Sequence, residues 1–326
     1  MLSKYPLPEF LLFSVLLVGV GIALATGPLG WDAGDPVWSS VVWSLRLPRV
    51  CLALTVGASL GVSGALAQGL FRNPLADPGL IGIASGAALA AALTFVLFGA
   101  LSSSLWLPWV LAVNAFAGAL LMMYLVMQIA RWSGSVSVLT LLLGGVAINA
   151  LASSAIGLLT YLADDSALRN FSFWMLGSVV GANWQAVLVM SIILVGLLFA
   201  AMRYSSSLNA MLIGESEARH LGFPVELIKH RVVLLLAIGV GGAVANVGMI
   251  SFIGLVAPHC VRMWVGPDHR RVIPLSALLG GCILVLADCS AKNLLAPAEI
   301  PIGIVTSLLG APFFLWLIVK YKRVSL

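Results

Sequence analysis

Long apolar runs separated by short polar segments cover almost the whole chain. A helix needs about 20 apolar residues to cross the hydrocarbon core of a membrane, and ten runs reach or approach that length. They cover residues 10–25, 50–71, 81–100, 107–130, 136–162, 184–202, 232–250, 252–265, 272–289 and 302–319. The pattern predicts an all-α polytopic membrane protein with about ten transmembrane helices. It forms a single domain over residues 1–326, in which the first helix is retained as a span.

The seventh and eighth runs are the weakest of the ten, because together they share residues 232–265. These 34 residues rise only about 51 Å as a helix, too little for two full crossings of a core about 30 Å thick. One crossing is therefore predicted to be short or broken. Gly254 and Pro258 mark where a break is expected, provided that neighbouring helices shield the freed backbone groups from lipid.

Composition and charge agree with a membrane protein. Hydrophobic residues make up 61% of the chain and charged residues 9%, and the mean hydropathy is +1.10, which excludes a soluble domain. The net charge of +5 comes from basic residues scattered among loop ends, so it indicates topology and not nucleic-acid binding. With both termini cytoplasmic, only Arg46, Arg49, Arg169 and Lys292 lie outside, and the other 13 of 17 basic residues lie inside. This orientation is the predicted one.

The sequence lacks the phosphate-loop motif for nucleotide binding and the zinc-protease motif H-E-x-x-H. There is no G-x-x-x-x-G-K-[ST], so the chain cannot bind nucleotide through a phosphate loop. There is also no H-E-x-x-H, and the four cysteines lack paired metal spacing. We therefore predict no enzyme activity, no catalytic residues, no metal site and no cofactor bound by this chain. Any ATP-driven role requires another chain.

Asp288 is the only acidic residue well inside a predicted span. It precedes Lys292 by four residues, a spacing that allows an ion pair on one face of a helix. We expect Asp288 to hold Lys292 at the helix end; the alternative is a proton relay. An ion-coupled secondary transporter, the main alternative class, would lack its usual acidic residues, and a structural or channel-like membrane protein is a third possibility.

The longest hydrophilic interruption covers residues 203–231. Within it, residues 211–224 are predicted to form a short amphipathic helix closed by Gly222, which would dock into a groove of a partner. The apolar contacts are expected from Leu212, Ala218 and Leu221. The polar contacts at the rim of the groove are expected from Glu215, Glu217 and Arg219.

Several motifs together resemble the permease subunit of type II ABC importers, the family that imports cobalamin, haem and ferric siderophores. They are Arg46-Leu-Pro-Arg49, Gln68-Gly-Leu-Phe-Arg-Asn-Pro-Leu-Ala-Asp-Pro-Gly79, Gly214-Glu-Ser-Glu-Ala-Arg-His-Leu-Gly222, Phe252-Ile-Gly-Leu-Val-Ala-Pro-His259 and Glu299-Ile-Pro-Ile-Gly-Ile-Val-Thr-Ser-Leu-Leu-Gly-Ala-Pro312. The resemblance covers nearly the whole chain from Arg46 onward. It implies ten spans per subunit, a homodimer with a central pathway in the bacterial inner membrane, two cytoplasmic ATPase subunits that carry ATP and Mg, and a periplasmic binding protein.

The resemblance also assigns roles to residues of this chain. It implies that Arg46, Arg49 and Lys292 receive acidic residues of the binding protein. The same resemblance implies that a coupling segment at about 204–231 sits in a cleft of the ATPase, through Gly214, Glu215, Ala218, Leu221 and Gly222. It places the pathway along residues 136–162 and 168–177, where Gly145, Asn149 and Ser153 present small or weakly polar surface. Ordinary helix packing is the alternative for each of these three.

The substrate is inferred from resemblance at the level of the subfamily. The segments at 173–178, 214–222, 266–270 and 296–303 look more like those of haem-importing permeases than those of cobalamin permeases. We therefore expect haem as the cargo, with cobalamin or a ferric siderophore as the alternatives. The four histidines do not indicate an axial iron ligand, because a hydrogen-bonded structural role is the commoner one.

Overall fold

A computed structural model describes residues 7–25, 36–98, 106–132 and 136–324. Within these residues the secondary structure is helical and no strand occurs. The α-helices, in chain order, are α1 Leu7–Ala25, α2 Pro36–Val41, α3 Leu47–Leu70, α4 Ile83–Leu97, α5 Leu107–Arg131, α6 Val138–Leu162, α7 Asp165–Met175, α8 Trp184–Arg203, α9 Ser205–Ile213, α10 Glu215–His220, α11 Val225–Val247, α12 Ile253–Val265, α13 His269–Asn293 and α14 Ile302–Val324. A π-helical turn, Val42–Arg46, leads into α3, and a 3-10 turn, Pro78–Ile81, precedes α4.

Each of the ten predicted spans coincides with one of these helices, so the all-α prediction is confirmed. Among the described residues, six helices are long and apolar enough to cross a membrane: Ser39–Leu70, Leu107–Arg131, Val138–Leu162, Trp184–Arg203, Val225–Val247 and His269–Asn293. Four shorter apolar helices, Ser14–Ala25, Ile83–Leu97, Ile253–Val265 and Ile302–Leu317, account for the remaining spans. Helices α2, α7, α9 and α10 are short connections between them.

Helix α3 forms the centre of the protein, and its residues from Leu52 to Leu70 are almost all buried. It packs against α13, α12, α11 and α8, and glycines bring α3 and α13 to backbone distance at two positions. A Cβ atom at Gly57 would lie 2.3 Å from the Gly280 carbonyl oxygen, and one at Gly61 would lie 2.0 Å from that of Ser276. These approaches show that the glycine spacing on α3 serves close helix packing within the subunit.

The predicted short crossing is α12, which has 13 residues. The break, however, lies before Gly254 and Pro258, at residues 248–252, where Gly248 (φ +74°) and Phe252 (φ +68°) adopt left-handed conformations. Pro258 sits inside α12. The expected position was wrong because the chain turns at the left-handed residues, and the helix continues through Pro258, which lacks only the N–H that would bond to the Gly254 carbonyl.

A second difference concerns the predicted amphipathic helix at residues 211–224. Gly214 interrupts it and divides the segment into α9 and α10. Gly222, in the left-handed region (φ +85°), follows the end of α10 as predicted, because glycine alone adopts this conformation without strain. Residues 205–220 therefore form two short helices with an extended joint at Gly214.

Candidate functional site

Two charged clusters lie at opposite ends of α3. The first, called here the Arg49 cluster, consists of Arg49 near the start of α3, Asp288 near the end of α13, and Glu299 in the following loop. The Arg49 Nε and Nη2 atoms donate to the Asp288 carboxylate at 2.9 and 2.8 Å, and Nη1 donates to Glu299 at 3.0 Å. The side chain of Asp288 is 3% exposed and that of Arg49 16% exposed. This is a two-point guanidinium–carboxylate pair, a strong and directional contact.

The neighbouring cations Arg46 and Lys292 point to the end of α1. Arg46 donates to the Leu24 carbonyl oxygen at 2.8 Å, and Lys292 donates to that of Ala23 at 2.6 Å. The last carbonyl groups of a helix have no partner within the helix, and its C-terminus carries partial negative charge. Both cations are buried, and they satisfy and neutralise this helix end.

The expected Asp288–Lys292 ion pair does not form among the described residues, and this prediction was wrong. Asp288 is taken by Arg49, whose fork matches a carboxylate in two bonds, while Lys292 is needed at the α1 carbonyl. Arg46, Arg49 and Lys292, which were predicted to dock a binding protein, all form hydrogen bonds within the subunit. Arg49 also contacts Glu299, which belongs to the exposed residues 293–299.

The predicted coupling residues lie at the other end of α3 and divide into exposed and internal ones. Leu221 is 63% exposed, and Ile213 before the Gly214 joint is 73% exposed. Ala218 is fully buried in its own subunit, so any effect it has on coupling acts through packing. Glu215 faces inward and contacts three basic side chains. Ile213 and Leu221 are therefore the exposed large apolar side chains on either side of α10.

Glu215 belongs to a second charged cluster. Of its members, the sequence analysis singled out only Glu215 and Arg219. Its centre is Lys229 on α11, whose side chain is 2% exposed and whose Nζ lies 2.9 Å from Glu215 and 3.0 Å from Glu226. Arg72, just past α3, lies 3.7 Å from Glu215, and Arg219 lies 3.0 Å from Glu226. The spacing of Glu226 and Lys229, three residues apart in an apolar chain, was the available signal.

The three predicted pathway residues on α6 differ in their surroundings. A Cβ atom at Gly145 would lie 2.2 Å from the Leu80 carbonyl oxygen, so Gly145 allows α6 to pack on the 3-10 turn. Asn149 is half-buried and accepts a hydrogen bond from Ser85 at 2.5 Å, and Ser153 is exposed. Packing thus accounts for Gly145, whereas Asn149 and Ser153 present polar surface.

Asn149 lines a cavity of about 430 Å³. The walls come from α3, the turn before α4, α4, α6, α11 and the 248–252 break, and the lining is mainly apolar, with polar atoms from Asp77, Ser85, Asn149 and Ser251. Asp77 caps the turn by accepting the Gly79 N–H at 2.7 Å. The cavity therefore abuts α6 at one of the residues predicted to line the pathway.

Buried histidines take part in structural hydrogen bonds. The backbone N–H of His269 and its Nδ1 atom both contact Asn209 Oδ1, at 2.9 and 2.8 Å, and Nε2 lies 2.9 Å from Arg262. The preceding Asp268 accepts the Arg270 N–H, which lowers the pKa of this carboxyl although partial burial opposes the shift. In the part of the chain that the structure describes, no group of three His, Cys, Asp or Glu residues could hold a metal ion.

Comparisons with known proteins agree with this architecture. The model of the FecCD transport family matches residues 10–320. The chain is 44% identical to the hemin transport system permease protein HmuU of Yersinia pestis, with 97% of each chain covered. It is 37% identical to the vitamin B12 import system permease protein BtuC of Vibrio cholerae, over 98% of this chain and 95% of that one.

A solved structure, described as an inward-facing conformation of a metal-chelate type ABC transporter, superposes with a TM-score of 0.89. It is 34% identical, and the match covers 97% of this chain and all of the other. The similarity thus extends over the whole arrangement of helices and is not confined to a few motifs.

Proposed function

The chain belongs to the FecCD transport family, and we propose that it is the permease subunit of an ATP-binding cassette importer that carries haem inward across the bacterial inner membrane. The observation that carries the proposal is the 44% identity to a hemin permease over almost the full length of both chains. The ten helices and the two charged clusters at opposite ends are consistent with a conduit that contacts one partner on each side of the membrane.

Cobalamin is the second candidate cargo, because identity to a vitamin B12 permease is only a little lower, at 37%. A ferric siderophore is the third, since a metal-chelate type transporter shares the fold. All three cargoes are large metal chelates. A competition assay that offers haem, cobalamin and a ferric siderophore to the same reconstituted complex would decide among them.

The proposed complex contains two copies of this chain, two cytoplasmic ATPase subunits that hold ATP and Mg, and a periplasmic binding protein. The absence of a phosphate-loop motif from the sequence supports a separate ATPase. The exposed Ile213 and Leu221 flank α10 and offer it apolar contacts. With both termini cytoplasmic, the Lys229 end faces the ATPase and the Arg49 end faces the binding protein, as the distribution of basic residues favours.

An ion-coupled transporter is less well supported. Such proteins place acidic residues where they can exchange protons or ions, but Asp288 is bound to Arg49 through two guanidinium nitrogen atoms. A carboxylate held in this way is a structural partner of the cation.

The proposed function predicts that transport depends on a second protein. The tagged chain should copurify with an ATPase that carries a phosphate loop, and proteoliposomes with the ATPase and binding protein should accumulate haem only when ATP is supplied. Uptake driven by a proton gradient in the absence of ATP would reject the proposal. The chain without its ATPase serves as the control and should show no accumulation.

The Arg49 cluster gives a prediction about docking. Because Glu299 occupies Arg49 in this structure, an acidic residue of a binding protein would have to compete with it. Glu299→Gln should therefore raise the association rate of the binding protein several-fold at low salt, with little change at high salt, since exposed charges act mainly on encounter. Stopped-flow or surface plasmon measurements at two ionic strengths test this. A slower association in the variant would argue that Glu299 aids docking.

A further inference from the structure

The residue before α6 is held by two side chains of α11. Val136 precedes the N-cap Ser137 and is almost completely buried. Its backbone N–H donates to Glu226 at 2.9 Å, and its carbonyl oxygen accepts a hydrogen bond from Lys229 Nζ. The backbone N–H and the carbonyl oxygen of Val136 are thus hydrogen-bonded to Glu226 and Lys229, which lie three residues apart on α11.

The same lysine holds α10. Its ammonium donates hydrogen bonds to the Val136 carbonyl before α6 and to Glu215 at the start of α10, and it forms an ion pair with Glu226 on α11 at 3.0 Å. We call these four residues, Val136, Glu215, Glu226 and Lys229, the Lys229 clamp.

Val136 and Lys229 are the buried members of the clamp, and its two carboxylates are partly exposed. Lys229 is 2% exposed, whereas the side chains of Glu215 and Glu226 are 23% and 40% exposed. A buried charge that loses one of its partners is strongly destabilised. If α10 moves, Lys229 either follows Glu215 or loses that contact, and the same Nζ atom also holds the Val136 carbonyl.

We propose that the Lys229 clamp transmits displacement of α10 to the start of α6, so that the ATPase acts on the pathway helix through one buried ammonium group. The proposal rests on the proposed function, and it assigns the transmission to positioning residues that touch neither the cargo nor ATP. Glu215 connects to α10, Lys229 is the link, and Glu226 fixes the lysine and the Val136 N–H in register.

The clamp differs from a simple brace in what its loss would change. A brace would lower the yield or stability of the complex and leave the amount of cargo moved per ATP unchanged in the complexes that survive. A transmitting link would leave ATPase binding and basal hydrolysis in place, because Ile213 and Leu221 are untouched, and would lower the amount of cargo moved per ATP.

The test uses the full complex in proteoliposomes with ATP, binding protein and haem as the probe. Lys229→Met should copurify with the ATPase and hydrolyse ATP at the basal rate, while haem transported per ATP falls about tenfold. Arg231→Met is the matched control, because it removes a cation two residues further along α11. The Arg231 side chain donates to the Tyr204 hydroxyl and, in the described part of the chain, forms no hydrogen bond or ion pair with the clamp. This variant should keep the wild-type amount of haem transported per ATP.

A second variant keeps the proposal testable if Lys229→Met does not accumulate. Glu215→Gln weakens the link to α10 and leaves both contacts to Val136 in place, so it should lower the same ratio with normal yield. An unchanged ratio in the variants that assemble, or loss of ATPase binding in Lys229→Met, would overturn the proposal. Failure of the wild-type complex to take up haem with ATP would instead reject the proposed function, and the two failures are thus distinguishable.

Discussion

Gly64→Ala is expected to prevent the protein from accumulating in a folded, monodisperse form. A Cβ atom at Gly64 would lie 1.7 Å from the Gly254 carbonyl oxygen and 2.5 Å from its carbonyl carbon. Both are backbone atoms, so no side-chain rotation relieves the contact, and α3 and α12 must move apart. Overpacking of a core costs about 1–3 kcal/mol and occasionally more, and a backbone clash at the central helix belongs at the upper end. Thermal unfolding and gel filtration of the detergent-purified protein measure the effect.

Gly196→Ala provides the matched control. Gly196 is also in the middle of a long helix, α8, but nothing lies within 4 Å of the position that its Cβ atom would take. Because alanine favours a helix over glycine by about 1 kcal/mol, this variant should be as stable as the parent or slightly more so. Equal stability of the Gly64 and Gly196 variants would show that α3 and α12 do not pack at backbone distance.

The second large effect is expected for Asp288→Ala, which should destabilise the protein by about 3 kcal/mol. Removing one partner of a buried ion pair costs about 3–5 kcal/mol because the other charge is left uncompensated. The lower value applies here, since Arg49 is 16% exposed and keeps Glu299 as a partner. The melting temperature in detergent, compared with that of the parent, gives the measurement.

Two further variants test the cause of this effect. Glu299→Gln removes only the more exposed partner, which is worth about 0–1 kcal/mol, and should melt close to the parent. Arg49→Met combined with Asp288→Leu removes both charges of the Arg49–Asp288 pair and should recover most of the stability that Asp288→Ala loses. If this double variant is stable but binds the periplasmic partner poorly, Arg49 serves docking as well as the fold. A double variant no more stable than Asp288→Ala would contradict the ion-pair explanation.

The span predictions succeeded because the membrane imposes a single requirement. Each crossing must be a continuous apolar helix whose backbone groups bond internally, and apolar runs of that length are visible in the sequence. The predictions failed where local signals competed. Gly254 and Pro258 both suggested a break, but the turn lies at residues 248–252, and only the packing of surrounding helices selects among such positions.

The charged residues show the same division. Their rarity made Arg46, Arg49, Asp288, Lys292 and Glu215 identifiable from the sequence as residues that need partners. Sequence spacing then suggested the wrong partner for Asp288, because the residue that binds it is 239 positions away in the chain. The contact between Lys229 and Val136 could not be predicted for a related reason. Its acceptor is a backbone carbonyl, and every residue has one, so the residue type at position 136 gives no signal.

The sequence by itself determined the class of protein, the ten apolar helices and the residues whose charges need a partner, since all three follow from the cost of placing polar groups in lipid. The tertiary structure alone decided which charges meet. Hydrogen bonds act over about 3 Å, so pairings such as Arg49 with Asp288 and Lys229 with Val136 depend on how α3, α6, α11 and α13 pack in space.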